Sequence, residues 1–491
     1  MTHSTLLTLL LTTPFAAPLL PLAQRLLPHL QQITQLLEDF RAQPVTPAAT
    51  RAFELRLQEL LRQVGLDLTD WTLNHLETEP LPDRLHHDGQ RYRRRDPSPN
   101  TIATLFGPVC LRRQLYEDLE PGNPCLFPLE RCLGVVAGAA TPALAERASW
   151  WLAQHPQGVT LGQLARDHGV RWSPETLRGV TAAFAAGLEA HRPAAQVERV
   201  LGWLRQACAR RGRHRPSLVA GRDGIHLPMR EGAYKEGATA TLTVYDRRGR
   251  RLGTVYLGRM PQPGQGTLSE QLTALIEEVL RRWRGALPRL AYVTDDGHQP
   301  AVYYRRVLSR MRHPRTGERL QWQRVVDFYH AALYIQRLAD ALFGETKKGR
   351  RWARRMRRRL KEKDGVKRVL QSATYHRQTR KLKGRRAASF RAAYAYLRRN
   401  GKWMAYWRYQ GVGLPIGSGV TEAGCKTVFT QRLKQSGMRW EVAGGQVVVT
   451  LRVVLLSGVW ESAVSRMLAG QTFPWPGVKG PQPAESGENA A

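Results

Sequence analysis

The chain reads as an α+β multidomain protein. A helical N-terminal region, a small β element and a helix-turn-helix region lead into a mixed α/β core that an all-helical insertion interrupts. Three observations predict this. Between Leu218 and Thr294 the apolar pattern runs at period two, switches to period 3.6 and returns. Between Lys347 and Arg386, 19 of 40 residues are Lys or Arg, set at helical spacing. Upstream of residue 200, helical periodicity dominates on both sides of one short alternating stretch.

At 491 residues the chain has room for roughly three folding units of on the order of 100–200 residues each. Its 42% hydrophobic content and 13 Trp supply cores for them, which argues against a largely unstructured chain. A net charge of +35 raises a field that attracts polyanions: DNA, RNA or an anionic membrane surface. No uninterrupted apolar stretch is long enough to span a bilayer, so no membrane partner is expected. The five cysteines (Cys110, Cys125, Cys132, Cys208, Cys425) are odd in number and scattered, which suits a reducing cytoplasm rather than a disulfide framework.

Residues 1–95 are expected to be helical. The leucine-rich start, Thr5 to Phe15, has no preceding Lys or Arg and is broken by Pro14 and Pro18, unlike a signal peptide. Its rhythm continues through Leu19–Leu37 as an amphipathic pattern suited to self-association. Ala48–Val64 places Phe53, Leu55, Leu57, Leu60 and Leu61 near one face. Arg91–Arg95, with Pro97 and Pro99, reads as a basic linker. Residues 96–136 form the small β element: Thr101–Leu115 alternates around Gly107-Pro108, and Pro121, Gly122 and Pro124 mark a turn. Residues 137–200 return to helix. There Thr160–Arg178 has the form of a helix-turn-helix, with Leu161, Leu164 and Ala165 inward, Gly169 at the turn, and Ser173 capping a second helix that starts at Pro174. An ordinary αα-hairpin has the same spacing. As a DNA module it would offer Arg171 and Arg178 near the major groove.

Residues 210–325 carry the first part of the core. Strands are expected at Leu218–Leu227, Ala238–Asp246 and Leu252–Leu257, a helix at Thr267–Trp283 and a fourth strand at Leu290–Thr294. A three-stranded meander, a crossover helix and a strand returning parallel to the first make the topology of the ribonuclease-H-like fold. It sets the ends of the first and fourth strands side by side. Residues 326–410 form the basic helical insertion, with Trp352, Met356 and Leu360 on one stripe, and residues 411–470 complete the core. Residues 471–491 are polar and rich in small residues, and are expected to be disordered.

Three carboxylates stand out. Asp223 closes the run Ser217-Leu-Val-Ala-Gly-Arg-Asp-Gly, and Asp295 closes Leu290-Ala-Tyr-Val-Thr-Asp-Asp-Gly. Glu422 lies in the first turn of a helix beginning near Gly417-Ser-Gly, where a backbone can approach closely. Each has a bland alternative: Asp-Gly is a common turn, and Glu422 can pair with Lys426 or complement the helix dipole. The side-by-side strand ends favour the functional alternative. Strand alternation puts Asp295 and Asp296 on opposite faces, so one of them is the ligand; Asp295 is preferred, with Asp296 as the alternative. Such oxygens suit two Mg²⁺ or Mn²⁺ ions, which can activate a hydroxyl and stabilise a leaving oxygen in phosphodiester chemistry. Asp327 and His330 stand one turn apart at a helix start, a spacing as compatible with structure as with catalysis. Cys125 and Cys132 lack zinc-ligand spacing, and no nucleophile elbow, P-loop or dinucleotide fingerprint is present.

The segments Gly221-Arg-Asp-Gly, Val293-Thr-Asp-Asp-Gly, Val325-Val-Asp-Phe-Tyr-His, Ile416-Gly-Ser-Gly-Val-Thr-Glu-Ala-Gly-Cys-Lys and Gln431-Arg-Leu-Lys-Gln-Ser-Gly-Met-Arg-Trp resemble bacterial insertion-sequence transposases of the ISKra type, distant kin of Mutator-like DDE enzymes. The resemblance covers about residues 90 to 465. It implies a DDE triad of Asp223, Asp295 and Glu422 binding two divalent ions, with Asp327 and His330 as the accessory C/D-x-x-H motif. It also implies a helical insertion between the second Asp and the Glu. The function to expect is then DNA cleavage and transfer of 3′ ends, by an oligomer of this chain, between an element's terminal repeats and target double-stranded DNA. A ribonuclease-H-like nuclease and a non-catalytic DNA-binding descendant are the alternatives. Phosphate contacts are expected from Arg350, Arg351, Arg354, Arg355, Arg358, Arg359, Lys426, Arg432 and Arg439.

Each phosphate neutralised adds about 0.9 to the salt slope of log affinity. Replacing Arg354, Arg355, Arg358 and Arg359 with Gln should flatten that slope and weaken binding alike on unrelated DNA sequences, because phosphates carry no base identity. Gel shifts over a salt series measure both, and an unchanged slope would return this stretch to a merely solvated helix.

Overall fold

The computed structural model describes residues 16–77, 80–120, 122–295, 297–471 and 473. The leucine-rich start, Asp296 and the tail from 474 lie outside the described residues. The chain divides into two compact units, Met1–Phe184 with Met467–Ala491, and Ala185–Arg466.

The first unit opens with a helical hairpin, α1 (Ala16–Ala42) and α2 (Pro47–Asn74). Thr46 caps α2 by accepting from the Ala49 amide at 3.1 Å, and Pro47 takes the first helical position, where its missing N–H costs nothing. Phe40 stacks on Phe53 near the turn, and Arg25 reaches Asp70 at 2.9 Å near the far end. Leu60 is buried, but Leu55 and Leu61, expected on the same face, are exposed. A hairpin gives α2 one partner helix, so only a narrow stripe is covered.

The expected helix and basic linker before residue 95 are instead strands β1 (Arg84–His87) and β2 (Gln90–Arg94). Tyr92 is buried between exposed Arg91 and Arg93, a period-two pattern that the charges disguise. The expected hairpin follows as β3 (Asn100–Thr104) and β4 (Gly107–Leu111), and β5 (Tyr116–Asp118) pairs with β2. Ile102, Val109 and Leu111 form a small core with Leu129 of α3 (Pro128–Leu133) and with Leu66 and Leu73 of α2. Next come α4 (Pro142–Gln154) and α5 (Gln157–His168), which ends on left-handed Gly169 at φ 65°. Ser173 Oγ accepts from the Thr176 amide at 3.0 Å, and α6 (Pro174–Ala209) begins. The turn chemistry read from the sequence is present, and Leu164 is buried while Leu161 and Ala165 are partly so. The boundary expected at residue 200 falls inside α6, which is 36 residues long.

The second unit is built on one mixed sheet. Its strands are β6 (Ser217–Pro228), β7 (Tyr234–Tyr245), β8 (Arg251–Arg259), β9 (Arg289–Thr294) and β10 (Trp322–Val326), in the order β8-β7-β6-β9-β10. The first three run antiparallel; β9 runs parallel to β6, and β10 parallel to β9. Helices cover both faces, and the alternating Thr239, Thr241 and Thr243 of β7 are buried along with its Leu242 and Val244. On one face Leu218, Ala220, Leu242, Leu290 and Tyr292 pack against α6 (Val197, Val200, Leu204) and α7 (Gly266–Arg282; Leu272, Ile276, Val279). After the short α8 (His298–Arg306) and β10, the chain enters α9 (Phe328–Phe343). Its Ala331, Ile335 and Leu338 pack with Val219, Ala291, Val293 and Val325 on the other face.

The helical insertion continues through α10 (Lys347–Leu360), α11 (Gly365–Gln378), α12 (Gly384–Asn400) and α13 (Tyr406–Gly411). As expected, α10 buries Trp352, Met356 and Leu360 while its arginines 350, 351, 354, 355, 358 and 359 are exposed. The chain then returns to the sheet as α14 (Gly419–Cys425), runs through a π-helical stretch at Lys426–Thr430, and ends in α15 (Val442–Leu456) and α16 (Trp460–Ala469). Among the described residues no single helix is long and apolar enough to cross a membrane.

Helix α14 lies directly on β6 and β7. Thr421 Oγ1 meets Thr241 Oγ1 at 2.8 Å, and a Cβ on Gly221 would stand 2.1 Å from Thr421 Oγ1. Gly221 is therefore glycine because the helix occupies the space a side chain needs. Gly221→Val should destabilise the fold by about 1–3 kcal/mol through overpacking. Urea unfolding of the two proteins measures it, and a stability equal to wild type would show that α14 yields freely.

Candidate active site

The strand register brings the first two carboxylates together. Leu218 pairs with Leu290 and Ala220 with Tyr292, so the same offset sets Asp223 level with Asp295. Period-two alternation then puts both on the face of Val219 and Val293, the face that α9 covers. Asp223 lies where β6 has left β9 but still pairs with β7, opposite Thr239. Its Oδ1 accepts from the Gly224 amide at 2.8 Å. Asp295 is the residue just past β9; its Oδ1 accepts from the Gly297 amide at 3.0 Å, and its carbonyl accepts from the Tyr396 hydroxyl at 3.1 Å. Glu422, in the first turn of α14, is solvent-exposed, and its Oε1 accepts from Ser418 Oγ at 2.6 Å.

Asp223, Asp295, Glu422, Ser418, His330, Tyr329 and Leu333, with Arg222, line one cleft of about 270 Å³. Burial raises the Asp223 carboxyl above the usual aspartate range. The Gly224 amide opposes that shift, and the negative charges of Asp295 and Glu422 add to it. The buried Cys425 thiol, hydrogen-bonded to Asp223, is also pushed up, first by burial and then by the Asp223 charge.

Among the described residues, no group of three or more His, Cys, Asp or Glu side chains stands ready-formed to hold a metal ion. The donor chemistry nonetheless fits hard divalent cations. Three carboxylates face one cleft, and the like charges that disfavour ionised Asp223 would be compensated by Mg²⁺ or Mn²⁺.

Asp327 has a different position. It is fully buried at the start of α9, with Oδ1 accepting from the His330 amide at 2.5 Å and Oδ2 from the Ser418 amide, while Ser418 Oγ lies 2.9 Å from Oδ2. It stands behind the cleft. The His330 ring lines the cleft, edge-on to Tyr334 and Tyr396, which stack at 3.7 Å.

Of the expected phosphate contacts, Lys426, Arg439, Arg171 and Arg178 are exposed, as are the arginines of α10. Arg432 is not: it is buried, with its guanidinium over the Trp440 ring and Nη1 near the Met438 sulfur. That side chain packs within the protein, and burial lowers its pKa to about 10. Sequence reasoning also missed Ser418, whose four-residue spacing to Glu422 on a helix start was the available signal.

No protein-family model matches the chain, and no curated protein matches it.

A carboxyl whose folded-state pKa lies above its unfolded value favours the fold below the unfolded pKa and loses that contribution as pH rises through the folded one. Asp223 is such a group. In EDTA at pH 7, Asp223→Asn should therefore melt a few degrees above wild type, and the difference should shrink as pH falls into the carboxyl range. Thermal melts across pH check this; a variant less stable at pH 7 would show that Asp223 is structural.

Proposed function

We propose that this protein is a DNA transposase that cleaves the ends of its own element and joins the freed 3′ ends to target DNA. The observation that carries this reading is the placement of Asp223, Asp295 and Glu422 on one cleft, from two adjacent strand ends and a helix start. The strand order β8-β7-β6-β9-β10 suits a ribonuclease-H-like core, with α9–α13 as its insertion.

The three carboxylates would hold two Mg²⁺ or Mn²⁺ ions, whose chemistry is to activate the attacking hydroxyl and stabilise the leaving oxygen. His330 lines the same cleft, where its imidazole can hydrogen-bond a phosphate oxygen. The exposed arginines of α10 supply backbone contacts that position the duplex without reading it. End recognition falls to α5 and the start of α6, read as a helix-turn-helix. Exposed leucines on the N-terminal hairpin (Leu30, Leu37, Leu55, Leu61) suit assembly with a second copy of the chain. Five unpaired cysteines suit a reducing cytoplasm.

The test is incubation with cloned element ends, supercoiled target and Mg²⁺, followed by mapping of cut and joined strands. Asp223→Asn, Asp295→Asn and Glu422→Gln should each abolish cleavage while leaving DNA affinity close to unchanged. Asp296→Asn should cleave normally, deciding between the adjacent carboxylates. Near-native cleavage in any of the first three would remove that residue from the metal site. Nicking without strand transfer would make the protein a nuclease, and DNA binding without metal-dependent nicking a non-catalytic binder.

A further inference from the structure

We infer that Asp327 and Ser418 are positioning residues for Glu422, and that Asp327 is not itself a metal ligand; the inference rests on the metal-dependent reading above. A carboxylate with no solvent exposure has to be satisfied by donors on both oxygens. For Asp327 those donors are backbone amides, His330 on Oδ1 and Ser418 on Oδ2, with the Ser418 hydroxyl oxygen 2.9 Å from Oδ2. A carboxylate so engaged is not turned toward the cleft.

The same residue is tied to the neighbouring carboxylates. Its amide donates to the Thr294 carbonyl at 2.8 Å, on the residue directly before Asp295. The adjoining Phe328 amide donates to the Ile416 carbonyl at 2.8 Å, two residues before Ser418. Asp327 is thus a node between the end of β9 and the start of α14. Gly417 makes this possible, since a Cβ there would lie 2.9 Å from the Tyr329 ring and 3.4 Å from Asp327 Oδ2.

Ser418 completes the link. Its hydroxyl touches two carboxylates, Asp327 Oδ2 at 2.9 Å and Glu422 Oε1 at 2.6 Å, but has one hydrogen to give. The Ser418 amide already serves Asp327, so the hydroxyl hydrogen goes to the shorter contact. An exposed Glu would otherwise sample several rotamers, and this bond holds one of its oxygens in place. Residues that orient metal-binding carboxylates in this way are typically worth about 10–100-fold in metal affinity.

The experiment is calorimetric titration of the full-length chain with Mn²⁺ in the absence of DNA, beside thermal melts. Ser418→Ala should weaken Mn²⁺ binding about 10–100-fold, with the metal-free melt near wild type, and Ser418→Thr, which keeps the hydroxyl, should recover most of the loss. Asp327→Asn, which puts an amide donor among donors, should weaken binding too and decides the matter if Ser418→Ala does not fold. Wild-type Mn²⁺ affinity in Ser418→Ala or in Asp327→Asn overturns the inference alone, as does equal loss in Ser418→Ala and Ser418→Thr. A wild-type protein that binds no Mn²⁺ overturns the metal-dependent reading and this inference together.

Discussion

The parallel pairing of β6 with β9 is the constraint on which the site depends. Only four residue pairs define it, Ser217 with Arg289 through Ala220 with Tyr292. Those pairs fix a register in which two aspartates 72 positions apart in the chain become level. Because side chains alternate, a slip of one residue would turn Asp223 toward α7 and away from Asp295. The apolar sets on the two faces prevent that slip. Leu218, Ala220, Leu290 and Tyr292 fill one core, and Val219, Ala291 and Val293 fill the other. The site inherits its geometry from hydrophobic packing several residues away.

The third carboxylate is placed by close approach rather than by register. Helix α14 can sit on the sheet because Gly221 and Gly424 leave room beneath it, the latter against Tyr256 and Thr239. The site's charges oppose the fold, since burial and two neighbouring carboxylates disfavour ionised Asp223. Active sites commonly hold such conflicts while the surrounding packing keeps the fold.

Much of this was visible in the sequence, for physical reasons. Strands β6 to β9 carry apolar stretches bounded by turn residues, and the expected limits fall close to those observed except at the start of β7, which begins at Tyr234 rather than Ala238. Asp223 and Asp295 could be chosen because each closes such a run, and Glu422 because it lies in the first turn of a helix after Gly417-Ser-Gly. Three misreadings share one cause: charge hiding burial. Strand β2 looks like a basic linker because Arg91 and Arg93 flank Tyr92. Strand β10 contains Arg324, buried over the Trp403 ring, and so does not read as core. Arg432 resembles a phosphate contact until Trp440 is seen beside it. Ser418 also meets Asp327, 91 positions away, and no local pattern could reveal that pair.

The amphipathic helix α10 has a consequence for how the protein answers its surroundings. Trp352, Met356 and Leu360 anchor it in a core, which holds the exposed arginines close to one another whether or not a polyanion is near. Dissolved salt shields those cations from each other and also from DNA. If the protein binds DNA as proposed, the same ions would act in opposite senses, easing internal repulsion in the free protein while loosening its grip on the duplex. In the proposed reading, bound phosphates would supply that relief without loss of grip, so the insertion would be most at ease with DNA against it.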